Sequence, residues 1–213
     1  MNSPSSSHWI RLTAVLGAVF TAASLLPGCA SPPPNPDDLC SIFRQKHAWY
    51  RVTRATQRRW GIDQATQMAV IFQESSYRAG ARPPRTRLLG FIPWRRKSSA
   101  FGYAQVVDAT WDLYRREATR PRAERDRFAD ASDCVGWYLD RIAKRARIDK
   151  MSVRSLYLAY HEGVGGFQRG THLEKQWLLD ASYRVQRRSA RYRAQLDRCR
   201  EALDRYHWWW PFY

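Results

Sequence analysis

Met68-Ala69-Val70-Ile71-Phe72-Gln73-Glu74-Ser75-Ser76-Tyr77 decides the fold class of this chain. The run reads as an apolar helix, capped upstream by Asp63 with Ile62 placed as a hydrophobic staple, and it carries Glu74 at its C-terminal end. A carboxylic acid delivered by a core helix into a partly apolar site has its charged form disfavoured. Its pKa therefore rises toward the range of a general acid.

The same helical period extends outward from this run. Asp37 or Asp38 can cap a helix to about Trp60, burying Leu39, Ile42, Phe43, Trp49 and Tyr50, with Gly61 as its stop. Downstream, Asp108 opens a helix with Trp111, Leu113 and Tyr114. Further helices are expected over about 125–145 and from Ser152 to about His161, and Thr171 with Glu174 forms a capping box for a last long helix or pair. No alternating run is long enough to compete as a strand, so the expected class is all-α. The pattern breaks between Gly80 and Ser99. There Pro83, Pro84, Gly90 and Pro93 forbid a continuous helix, and Leu88, Leu89, Phe91, Ile92 and Trp94 are flanked by Arg82, Arg85, Arg87, Arg95, Arg96 and Lys97. Two readings stand equally for this loop: a substrate-binding lid, or a loop that folds its apolar residues inward and solvates its charges. For the aromatic tail Trp208–Tyr213, packing across the last helix outweighs contact with a membrane or a glycan.

The N-terminus carries an address. Arg11 precedes an apolar stretch, Leu12–Leu26, too short to span a membrane comfortably, which ends Leu26-Pro27-Gly28-Cys29. This resembles a lipoprotein signal, with Cys29 as the acylated first residue of the mature chain; an ordinary secretory signal is the weaker alternative. Ala30 then points to the outer membrane of a Gram-negative cell and a periplasmic location. Ser31-Pro32-Pro33-Pro34-Asn35-Pro36 reads as an extended tether. The expected organisation is a signal over 1–28, lipidated cysteine and tether over 29–39, and one domain over 40–213. Net charge is +17; removing residues 1–28, which hold Arg11 and no acid, leaves +16. Such a surface favours anionic partners, and an export signal excludes nucleic acid while leaving wall carboxylates and lipid headgroups.

Downstream of Glu74-Ser75 come Gly102-Tyr103-Ala104-Gln105 and Ala159-Tyr160-His161-Glu162-Gly163. This ordered trio resembles the soluble lytic transglycosylases, the SLT or goose-type lysozyme-like family, over about residues 62–170. Tyr103-Ala104 stands where the family has Leu-Met, a change of packing, and His161 stands where it has Asn, which alters one substrate contact. The resemblance implies a lysozyme-like helical domain that cleaves MurNAc–GlcNAc bonds of peptidoglycan. Glycosidic cleavage normally uses two carboxyl groups, and the chain offers no convincing second one. The resemblance resolves this shortage: one glutamate, Glu74, protonates the leaving oxygen and then accepts the proton of the substrate's own C6 hydroxyl, closing a 1,6-anhydromuramyl ring. A hydrolytic muramidase and a catalytically idle wall-binding lipoprotein are the alternatives.

Residue by residue, the resemblance implies that Ser75 bonds substrate or orients Glu74, that Gln105 and His161 contact the glycan, and that Tyr160 gives its hydroxyl to Glu74. Glu162 is a further substrate-binding candidate, or holds Tyr160, His161 or an arginine. Taken singly, each of these residues has a blander role as helix-end bonder, surface group or core packing. His8, His47, His161, His172 and His207 show no paired ligand spacing, so no metal and no cofactor are implied. The expected partners are glycan strands, the membrane through Cys29, and cell-envelope machinery. Of the remaining cysteines, Cys134 lies on an apolar helical stripe with Ala131, Val135, Tyr138, Leu139 and Ile142, which leaves Cys40 and Cys199 as the favoured disulfide, among other possible pairings.

Overall fold

The side chain of Asp38 accepts a hydrogen bond from the Ser41 amide at 3.0 Å, starting α1 (Leu39–Gln45). The structure, a computed structural model, describes residues 31–88, 92–96 and 98–206. The signal over 1–28, the lipidation candidate Cys29 and the tail 208–213 lie outside the described residues. The single helix expected up to Trp60 is broken at Lys46 (φ −124°, ψ 66°), and α2 (His47–Trp60) starts anew. The two segments pack on different partners, α1 on the last helix and α2 on the fifth, so they cannot share one axis. The anticipated apolar face, from Leu39 to Tyr50, is nonetheless buried throughout.

Helix α3 (Gln64–Ser75) is the axle of the domain. Asp63 caps it through the Thr66 amide at 2.7 Å, and every residue from Gln64 to Ile71 is buried. A helix enclosed on all sides must sit in the centre of its domain; this one packs against α2 and two later helices. Its polar residues are satisfied internally: Gln64 Nε2 donates to Tyr50 O and Thr53 Oγ1, Gln67 Nε2 donates to Ile62 O and Thr53 O, and Ser132 Oγ donates to Gln67 Oε1.

After α3 the chain forms a hairpin, β1 (Arg85–Leu88) and β2 (Ile92–Arg96), antiparallel with Leu88 opposite Ile92. No strand was expected here. Strands of four and five residues are too short to show an alternating period, and both strands of a two-stranded sheet are edges, where Pro93 is tolerated. The remaining elements are α4 (Asp108–Glu117), α5 (Phe128–Ala146), α6 (Val153–Gln168) and α7 (Gln176–Tyr206), giving an all-helical domain with one small hairpin among the described residues.

Three helix ends differ from expectation. Asp108 is the first residue of α4 and not its cap, its carboxylate being paired with Arg125 at 2.7 Å. Helix α6 continues beyond His161, kinking at Gly163 (φ 70°, ψ 164°), a backbone geometry essentially confined to glycine. The Thr171–Glu174 box does not form, because Thr171 Oγ1 donates to Gly166 O and to Glu162, and α7 starts at Gln176. Cys40 and Cys199 are disulfide-bonded, joining α1 to α7, and Cys134 is free and fully buried. Asp133 ties α2, α4 and α5 together by accepting from Arg59, Trp60 Nε1 and Tyr114 Oη at 2.9–3.0 Å. The segment read as an extended tether is docked on the domain from Pro33 onward: Pro33 is buried, Gln195 Nε2 donates to Asp37 O, and Tyr192 donates to Pro36 O. No helix among the described residues is long and apolar enough to cross a membrane.

Candidate active site

Glu74 lies in the last turn of α3, where the chain is turned sharply by two consecutive residues at positive φ, Ser76 (51°) and Tyr77 (61°). A bulky side chain adopts that backbone only when its surroundings over-determine it. Tyr77 is fully buried, its hydroxyl donating to Met68 O (3.2 Å) and lying 3.0 Å from the Tyr192 hydroxyl, so the turn that presents Glu74 is held from α3 and α7 at once.

Glu74 is half-buried as a residue, and its Oε1 is fully buried without a hydrogen-bond partner. Burial pushes its pKa up to about 7, and a hydrogen bond from Tyr157 on α6 works against that rise by favouring the charged form. Burial together with the facing Glu74 raises the Tyr157 phenol in turn. A carboxyl group poised near neutrality, with one oxygen uncommitted, can give a proton to an incoming oxygen atom and take one back.

The three motifs meet around this group. The Tyr160 ring is stacked on Tyr157 at 6.3 Å, and its phenol feels the charge of Glu74. Its hydroxyl, however, donates to Ala104 O at 2.6 Å, so Tyr160 braces the second motif and Tyr157 makes the contact with Glu74. Tyr157 was missed in the sequence. Its signal is the position three residues before Tyr160, on the same helix face. Gly102 sits at φ 78°, where an added Cβ would lie 2.2 Å from Arg125 O. The Gly102 amide and Gln105 Nε2 both donate to Ala81 O at 2.9 Å, joining the chain on either side of the hairpin.

The other candidates are placed as follows. Ser75 is buried and its hydroxyl donates to Ile71 O, a bond within the helix. The Gln105 amide nitrogen is occupied by Ala81 O and Gly102 O. His161 is exposed, packs edge-on against Trp177 at 4.9 Å and lies 3.0 Å from Glu162. Glu162 is enclosed, with 5% side-chain exposure. It is bound by Lys175 Nζ (2.7 Å), Thr171 and His161, and despite partial burial these partners hold its pKa down at about 2. It fastens α6 to the connection that leads into α7. Tyr103 is buried with its hydroxyl unpartnered, edge-on to Trp49 and Phe128, as expected of a packing change.

A half-buried acid at the end of a central helix, faced by a tyrosine, fits a helical domain of the lysozyme-like class. The family model described as Transglycosylase SLT domain matches residues 17–199, and the chain belongs to that family. At the level of the family this means a lytic-transglycosylase-like function acting on peptidoglycan. No curated protein matches the chain.

Proposed function

We propose that the chain is a peptidoglycan lytic transglycosylase in which Glu74 is the single acid and base. The observation that supports this most is its carboxyl, with a pKa of about 7 and one buried oxygen without a hydrogen-bond partner. Protonated Glu74 gives its proton to the glycosidic oxygen as the C1–O bond of MurNAc breaks, with the N-acetyl oxygen supporting C1. The resulting carboxylate, stabilised by the Tyr157 hydroxyl, accepts the proton of the C6 hydroxyl as O6 bonds to C1. The products are a 1,6-anhydromuramyl end and a free GlcNAc hydroxyl, and Glu74 is again protonated. Export and lipid attachment at Cys29, with the wall of a Gram-negative cell as the setting, complete the proposal and rest on the sequence of residues 1–30.

Digestion of purified peptidoglycan by the wild-type protein and Glu74→Gln, read by mass spectrometry, tests the reaction. Anhydro-muropeptides from wild type alone are expected. Products heavier by one water would mean a muramidase, and full activity in the variant would remove Glu74 from its role.

A further inference from the structure

Arg184, Arg187, Arg188 and Arg191 recur at helical spacing along one face of α7 and, with Phe72 and Gln73 of α3, line a pocket of about 440 Å³. Two of these arginines are engaged. Arg188 lies over the Phe72 ring (3.6 Å) and donates to Pro36 O and Asp37, and Arg191 shares the Asp37 carboxylate at 2.7 Å. Arg184 and Arg187 are exposed and make no hydrogen bond or ion pair among the described residues. The Asp37 carboxylate thus serves two of the four guanidinium groups and leaves the other two without an ion pair. Like charges three and four residues apart weaken a helix, and a bound anion would relieve that repulsion. Guanidinium groups suit carboxylates, which they grip bidentately.

The pocket's position selects the anion. Phe72 and Gln73 immediately precede Glu74 on α3, and the charge of Arg184 reaches Tyr157, the residue bonded to Glu74. Muramic acid bears, through its lactyl group, a peptide stem with free carboxylates. Building on the proposed function, we infer that Arg184 and Arg187 form a subsite for stem-peptide carboxylates of the glycan strand cleaved at Glu74. The enzyme then prefers strands that retain their stems.

The test compares kcat/KM of the full chain on stem-bearing strands and on strands stripped of peptide by an amidase, for wild type, R184A/R187A and R184K/R187K. Wild type should favour stem-bearing strands by about tenfold, the worth of one charge-assisted hydrogen bond. The alanine pair should bring the ratio near one through KM, and the lysine pair should restore part of it. An unchanged ratio in a folded alanine pair, or no preference in wild type, overturns the inference. So does loss of binding to anionic phospholipid vesicles with the ratio intact, which would assign the pocket to lipid phosphate. If wild type cleaves neither substrate, the role of Glu74 fails separately and sedimentation with the two kinds of strand decides the subsite: tighter binding to stem-bearing strands, lost in the alanine pair, supports it, and equal binding overturns it.

Discussion

Glu74 carries a carboxyl whose pKa rises from 4.5 in the unfolded chain to about 7 in the fold. The folded protein therefore binds more protons than the unfolded one between those values, and its stability falls as pH rises through that window. Glu74→Gln should stabilise the protein at pH 8 by on the order of 3 kcal/mol and give no such gain at pH 4, as melting curves at the two pH values will show. Tyr157→Phe removes the bond that favours the carboxylate, so the Glu74 pKa should climb further. The loss of kcat/KM on raising pH through about 7 would then move to higher pH, in a pH–rate profile read beside wild type. At this scale the acid was legible, because its place at the end of an apolar run predicts desolvation. Its partner was not. Tyr157 and Tyr160 share a helix face, and only the packed structure decides that one meets Glu74 while the other meets Ala104 O.

Between elements, the hold of α6 on the connection that leads into α7 rests on Glu162. Its pKa is lowered to about 2 by Lys175, Thr171 and His161, so its contribution is fully present above about 4.5 and is lost as pH falls toward 2. Glu162→Gln should cost about 1–2 kcal/mol at pH 7 in chemical denaturation, with the difference shrinking below pH 4. The helices themselves were legible from their apolar period. What escaped were features that depend on a neighbour: the break at Lys46, where α1 and α2 choose different partners; Thr171, drawn away from its capping role by Glu162; and the buried Thr53, Gln64, Gln67 and Ser132, which look like surface residues until they find one another.

Across the whole molecule, the bond from Cys40 to Cys199 encloses nearly the entire folded chain, a sequence separation of 159. Closing so long a loop restricts the unfolded state most. Cys40→Ser with Cys199→Ser should cost about 3–5 kcal/mol and lower Tm, read against wild type with and without reductant. The docking of Pro33 against the domain has a mechanical consequence. With the lipid proposed on Cys29, only the four peptide steps from Cys29 to Pro33 remain as a leash, and they reach at most about 14 Å. The domain would ride against the bilayer as a moored vessel does against a quay, working the face of the wall nearest the membrane and leaving deeper layers out of range.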